Sequence, residues 1–473
     1  MAALISNTKS LWRRSVRLKH SSSMDTDPSH PNSNQLVTLA VVGCGQRGKA
    51  YSKYALTCPE HCKVIAIAEP RPNTRRNFTN LYKVDKTLVF DTWQDLLAAS
   101  AETISTIGKR LADAVIIAVQ DHLHAEVTAA FTLQGYHILC EKPMATSISD
   151  CLQMERAIKD ARIIFGMGHV MRYSPYSKEI TTIIRSGVLG ELINVVQVEP
   201  VGHYHFAHSY VRGNWSNENQ SSFSLMTKCC HDIDLICNWF SPAVPAKISS
   251  FGSLKHFRKS AKPKAAGNAT RCLECPIEKE CAYSAKRIYL DPVSHGNTGW
   301  PVETIVDGLP DLENVTAALK SGPYGLCVYE SANDVCDNQV VNIEFSNGCT
   351  ASFTMIAFTS AICDRQTRLH FSYGEIIGDM KTFTVNDFRK GTSKVHHPGS
   401  EGGGHGGGDT GLIRSFVNAV GTKDQTLLGT DIDDVLKSHL TVFAAESSRK
   451  EGRVVDCIAF EENARRNSTE LNG

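Results

Sequence analysis

Residues Gly43-Cys44-Gly45-Gln46-Arg47-Gly48 form a G-x-G-x-x-G that follows the apolar run Leu36 to Val42 and opens the helix-like stretch Lys49 to Thr57. In that setting the first glycine permits a tight turn, the second lets backbone approach a pyrophosphate, and the third lets the helix pack on the strand. The phosphates then meet the positive end of the helix dipole. A second apolar run, Lys63 to Ala68, completes a βαβ unit and ends at Glu69, 21 residues after Gly48. A carboxylate there accepts hydrogen bonds from the adenosine ribose and repels a 2′-phosphate, so NAD is expected over NADP. Arg71 acts in the opposite sense, because a guanidinium pairs with a 2′-phosphate.

Further strand-like runs at Ala114 to Val119 and His137 to Cys140 alternate with helical stretches around Leu96 and Glu126 to Leu133. This alternation predicts a doubly wound parallel sheet of the Rossmann type. After about residue 165, the runs Leu192 to Val198, Val340 to Phe345, Thr350 to Ala357 and His370 to Ile376 read as strands without a helix between each. An open, largely antiparallel sheet is expected there. The fold class is therefore α/β: a Rossmann domain over 36–160, then an α+β substrate-binding and oligomerisation domain over 161–460. A Cys-rich insert is placed at about 252–300 and a tail at 461–473. The helical periodicity of Asp431 to Arg449 is expected to pack back on one of the domains.

Residues 1–35 read as a disordered tail or a targeting segment. The first 24 carry Lys9, Arg13, Arg14, Arg17 and Lys19, several serines and no acid, the composition of a mitochondrial presequence. Lys plus Arg number 50 against 49 Asp plus Glu, and this balance provides no field to hold a nucleic acid. No run approaches the roughly 18 apolar residues of a membrane helix. Sixteen cysteines are spread over the chain with no apolar N-terminal leader before them, which suits reduced thiols. A cytoplasmic location is expected, with the mitochondrion as the alternative.

Cys272-x2-Cys275-x5-Cys281 packs three thiols into ten residues. With a fourth ligand they chelate one tetrahedral zinc in a closed, structural site. His256 is the first candidate for that ligand, Cys327 or Cys336 the competitors, and three free thiols on a loop the other reading.

The ordered segments GCGQRG, AEP, AVQDHLHAE, EKP and MRYSP, followed by Cys230-His231-Asp232-Ile233-Asp234, resemble the Gfo/Idh/MocA family over roughly residues 36–455. That family contains glucose-fructose oxidoreductase and inositol dehydrogenase. The resemblance implies that Lys142 and His231 flank a reacting carbinol carbon, lysine orienting the hydroxyl and histidine moving its proton while nicotinamide C4 exchanges hydride. Histidine suits the task because its unperturbed pKa of about 6.5 makes both protonation states reachable. It further implies a cofactor set of Gly43, Gly45, Gln46, Arg47, Gly48, Glu69, Arg71, Gln120, His124, Glu141 and Lys142. Substrate contacts fall to Arg172, Tyr173, Lys228, Asp232, and to His405 and Asp409 in the glycine-rich run Gly402 to Asp409. Thr227 departs from the pattern, since many sugar dehydrogenases of the family carry an aspartate four residues before the histidine. A homodimer or homotetramer formed through the second sheet is implied as well.

Three functions fit these residues. The first is an NAD-dependent oxidoreductase acting on a ring hydroxyl of a sugar, sugar acid or cyclitol. The second is a redox-assisted glycosidase, in which oxidation acidifies a neighbouring C–H, elimination cleaves a glycosidic bond, and the hydride is returned. The third is a non-enzymatic, nucleotide-bound sensor, against which the presence of both Lys142 and His231 argues.

Overall fold

The computed structural model describes residues 35–470, so the basic segment read as a tail or presequence lies outside the described residues. Strands of two to seven residues alternate with helices and build a six-stranded parallel sheet. Its strands are β1 (Val37–Val42), β2 (Cys62–Ala68), β3 (Val89–Phe90), β4 (Ala114–Ile117), β5 (His137–Cys140) and β6 (Phe165–Met167), in spatial order β3-β2-β1-β4-β5-β6. Helices cover both faces, which explains why these strands read as continuous apolar runs instead of alternating ones.

The chain returns to this sheet near its end. Leu412, Ile413 and Phe416 of the helix Gly408–Thr422 pack against one face with Leu39 and Val41. Ile432, Val435 and Leu436 of the helix Ile432–Glu451 pack against the other with Ala40 and Val42. Farther along that second helix, Val442, Ala444 and Ala445 join the core of the other sheet. The periodic stretch Asp431 to Arg449 thus bridges both domains, and its apolar positions are shared between two cores.

The second sheet has nine strands: β7 (Leu192–Pro200), β8 (Pro245–Ser253), β9 (Asn338–Phe345), β10 (Thr350–Ile356), β11 (Gln366–Phe371), β12 (Gly374–Gly378), β13 (Phe383–Asp387), β14 (Thr392–His396) and β15 (Val455–Asp456). The order is β14-β13-β12-β11-β7-β10-β9-β8-β15, and every pairing is antiparallel except β7 with β10. One face packs on the helix Ser224–Phe240, whose Leu225, Met226, Ile233 and Ile236 are fully buried.

Between β8 and β9 the chain makes an excursion over 254–337, longer than the insert read from sequence. It closes on a small core of its own, formed by Cys272, Ala285, Ile288, Tyr289, Val302, Val315 and Leu319. Its one long helix, Leu312–Ser321, starts at Asp311, whose carboxylate accepts from the Asn314 N–H at 2.8 Å, the expected N-cap bond. The segment expected to be a C-terminal tail is instead helical across Cys457–Glu470. No described helix is long and apolar enough to cross a membrane.

Candidate active site

Gly43 leaves β1 at φ +91°, and a Cβ on it would stand 2.3 Å from the Ala118 carbonyl oxygen at the end of β4. A Cβ on Gly48 would stand 2.0 Å from the Gly43 oxygen. Both positions therefore require glycine, and the helix Gln46–Ser52 begins directly against the turn. Gln46 and, at the end of β4, Gln120 are exposed along this carboxyl edge. The set fits a dinucleotide pyrophosphate: a turn without side chains facing a helix N-terminus.

Glu69 ends β2 and is almost fully buried. One carboxylate oxygen accepts from the Cys44 N–H at 2.8 Å, while Arg71 closes on the group with its backbone N–H at 3.0 Å, Nε at 2.7 Å and Nη2 at 3.0 Å. Burial works against the charged carboxylate, but the Arg71 bonds outweigh it and lower its pKa. Glu69 and Arg71, which sequence reads as opposed votes on the ribose, are one ion pair at the carboxyl end of β2.

At the end of β5, Glu141 is buried against Arg47, which donates from Nε at 2.6 Å, and against Tyr51, whose hydroxyl donates at 2.5 Å. The same Arg47 grips both Asp409 oxygens at 3.0 and 2.9 Å. Arg47 therefore ties the glycine turn, the Glu-Lys-Pro segment and the glycine-rich run together. His124 is fully buried, with Nδ1 2.6 Å from the Pro143 carbonyl, so it supports that turn from behind.

Lys142 reaches across the cleft and donates from Nζ to the Thr227 carbonyl on the helix Ser224–Phe240. His231 lies one helical turn farther along. The position without the family's aspartate thus serves the lysine through its backbone. His231 is 2 % exposed and its ring lies 5.7 Å from that of His405, which in turn bonds Asp409 at 3.0 Å. Burial drives His231 well below its usual range; Asp232 opposes that shift and Arg365 reinforces it. Lys228 is buried too, 3.3 Å from Glu199 and 3.0 Å from the Cys363 sulfur. Burial disfavours its charge, yet these neighbours hold the ammonium protonated.

Arg365 is the residue sequence reasoning missed. Its Nε and Nη2 span the Asp232 carboxylate at 3.0 and 3.1 Å, Nε meets Glu199 at 2.6 Å, and Nη2 meets His231 Nε2 at 2.8 Å. Asp232 is wholly buried in this network, which also takes in Gln197 at 2.7 Å. It orients His231 and presents no oxygen to a substrate. The available signal was Glu199 at an inward position of β7, because a buried carboxylate demands a cation.

Two further sequence expectations change. Arg172 spends its guanidinium on Asp234 at 2.5 and 2.8 Å, and the Tyr173 hydroxyl donates to the Leu428 carbonyl at 2.8 Å. Both are packing contacts that hold the domains together, not substrate contacts. The zinc clip is not assembled either. His256 Nε2 faces the Tyr329 hydroxyl at 3.0 Å and Cys272 Sγ accepts from Arg212 at 3.3 Å. Among the described residues, ligand atoms converge within 4.8 Å only at His169, Cys230 and His439 and at Cys58, Glu60 and His61. In the first group both nitrogens of His439 are already taken, by the Met144 N–H and the Val435 carbonyl.

Comparison with known proteins agrees with this architecture. Residues 37–169 match the model of an oxidoreductase family with an NAD-binding Rossmann fold, and residues 182–457 match its C-terminal alpha/beta domain. The putative oxidoreductase YteT of Bacillus subtilis is 20 % identical over 331 residues, 67 % of this chain and 71 % of the relative. The 2,7-anhydro-N-acetylneuraminate hydratase of Escherichia coli is 25 % identical over 217 residues, 46 % of this chain and about half (53 %) of the relative. Among solved structures, levoglucosan dehydrogenase in complex with NADH and levoglucosan superposes with a TM-score of 0.65 at 16 % identity, over 89 % of this chain and 100 % of the other. With both family models matched in order along it, the chain belongs to the Gfo/Idh/MocA family of NAD-binding oxidoreductases.

Proposed function

We propose that this protein transfers hydride between nicotinamide and the carbinol carbon of a ring hydroxyl on a sugar, sugar acid or cyclitol, with NAD preferred over NADP. The observation that carries this reading is the convergence of Lys142, from the carboxyl edge of the Rossmann sheet, on the helix that bears His231. When bound, the dinucleotide supplies the hydride acceptor at nicotinamide C4. Lys142 donates to the substrate hydroxyl oxygen and holds it in place, and its positive charge stabilises the developing alkoxide. His231 exchanges the hydroxyl proton, and its burial excludes competing water. His405, fixed by Asp409, stands beside His231 and offers a further polar group to a ring hydroxyl.

A redox-assisted glycosidase is the second reading. Thr227 supplies no second carboxylate, and the matched hydratase is named for adding water to an anhydro sugar acid. The test is absorbance at 340 nm with NAD across sugars, uronic acids, inositols and aryl glycosides, with aryl release followed in parallel. A steady rise supports the dehydrogenase. Aryl release without net NADH supports the glycosidase, and silence in both channels counts against net dehydrogenation and against glycoside cleavage of these substrates.

A further inference from the structure

The excursion between β8 and β9 does not stay on the second domain. At its segment 299–308 it crosses to the Rossmann domain beside the groove that Glu69 and the glycine turn define. Trp300 is anchored on the second domain, its ring 4.9 Å from that of His205 and 5.5 Å from that of His208. Thr304 lies 3.3 Å from the other side of His208, at Nε2. From there the chain turns outward. Glu303 meets Lys49, on the helix that follows the glycine turn, at 3.6 Å. Asp307 caps the helix Pro72–Tyr82, which starts just after Glu69 and Arg71. Its carboxylate accepts from the Asn73 N–H at 3.2 Å, the Thr74 N–H at 2.9 Å and the Thr74 hydroxyl at 2.8 Å, and its backbone carbonyl accepts from the Asn73 amide at 2.9 Å.

The two Rossmann anchors thus lie on the first and second crossover helices, one on each side of the adenosine half of a dinucleotide running along the carboxyl ends of β1 and β2. We infer that segment 299–308 completes the dinucleotide site as a strap across the adenosine half, holding the nucleotide in place between turnovers. Four bonds at Asp307, three of them to a carboxylate, must break before the groove opens. The strap's other end is held by aromatic contacts on a separate domain, so it cannot swing aside by a local loop motion alone. The Arg71 guanidinium interacts electrostatically with both Glu69 and the Asp307 carboxylate of this strap.

A consequence follows that rests on the hydride chemistry proposed above. An alcohol carbon oxidised in this site gives up a hydride to the retained nucleotide and a proton to His231. A carbonyl reaching the same site, on the reaction intermediate or on a second sugar, then takes both back, so the nucleotide is reduced in the first step and oxidised again in the second, with no net change over the pair.

The strap is tested without any substrate. The full-length protein is loaded with NADH, and loss of nucleotide fluorescence is followed on chase with excess NAD. Asp307→Ala is expected to release NADH roughly tenfold faster than wild type, the factor set by losing a charge-assisted bonding group. Thr74→Val removes only one of the Asp307 bonds, is mild enough to keep the fold, and is expected to move the rate in the same direction by a smaller factor. Equal release rates in wild type and both variants overturn the inference. Because the readout is nucleotide exchange, a wrong substrate class leaves it untouched, and a strap that fails leaves the hydride reading standing.

Discussion

Arg365 Nη2 stands 2.8 Å from His231 Nε2, and a guanidinium only donates, so this contact favours a bare nitrogen there. The ring proton then sits on Nδ1, which is buried with no partner of its own. In that tautomer His231 is a neutral Nδ1–H donor, the form that hands a proton to a carbonyl oxygen as hydride arrives on carbon. Oxidation needs the other neutral tautomer, with the ring proton on Nε2 facing Asp232 Oδ2 at 3.2 Å, so that the bare Nδ1 accepts the hydroxyl proton and the ring becomes an imidazolium. His231→Gln is expected to lower turnover by roughly 10²–10⁴-fold, the span of one acid–base group. Lys142→Met is expected to cost as much, and both variants keep NADH affinity in a fluorescence titration. Full turnover in either would remove that residue from the reacting centre.

Burial presses the His231 imidazole toward neutrality, and the Arg365 charge adds to that against Asp232. Arg365→Lys keeps a cation for Asp232 and Glu199 but removes the donor that faces Nε2. Lysine is the safer substitution, since deleting a buried cation outright costs about 3–5 kcal/mol. With the Arg365 contact gone and Asp232 still adjacent, the His231 pKa rises. The acid limb of the kcat/KM profile for alcohol oxidation, which needs neutral histidine, is expected to move to higher pH. An unmoved limb in a folded, active variant would show that another group titrates in that profile.

Much of this arrangement was legible because it follows from local pattern. The strand-turn-helix glycines, the parallel runs and the Glu-Lys-Pro segment are fixed by neighbours within a few residues, so their places in the fold could be read from the sequence. Arg365 and Asp307 carry no such pattern. Arg365 opens the edge of β11 and reaches Asp232, 133 residues earlier in the chain, and Asp307 reaches Thr74 across 233 residues. Arg172 looked like a substrate contact because its neighbours match a family segment, yet its nearest carboxylate in space, Asp234, lies on a helix 62 residues later. The cysteine spacing was right for a metal, but the three-dimensional partner of Cys272 is the Arg212 guanidinium. Pairings of this kind arise from the way the second domain and its excursion fold back, and spacing along the chain does not encode them.

Glu69 and Arg71 form one ion pair, so each substitution frees the other partner. Glu69→Ala releases Arg71, with its side chain 47 % exposed, to meet a 2′-phosphate. The ratio of kcat/KM for NADP over NAD is expected to rise by roughly ten- to a hundredfold, the worth of a charge-assisted bond. Arg71→Ala leaves Glu69 with a free oxygen facing the ribose and is expected to lower the same ratio. Steady-state rates with both cofactors check the two signs at once, and a ratio that moves the same way in both variants would place ribose recognition elsewhere.

His439 is locked neutral by its surroundings. Its Nε2 accepts from the Met144 N–H at 2.8 Å while Nδ1 faces the Val435 carbonyl at 2.8 Å, and burial, aided by His169, pushes its pKa down to about 3. In the unfolded chain the same ring titrates near 6.5. As pH falls below about 6.5, the unfolded state takes up the proton and the folded state does not, so stability is complete above that pH and is lost on acidification. The slope is about 1.4 kcal/mol per pH unit for this one group. His137, whose Nδ1 accepts from the Ile164 N–H at 3.0 Å, is pushed down to about 4 and adds a smaller share, because solvent reaches it. Urea unfolding between about pH 7.5 and 5 is expected to show this fall. His439→Gln, which keeps an acceptor for Met144 but does not titrate, is expected to flatten it by about one proton; an unchanged slope in that variant would mean that the acid sensitivity arises at other groups.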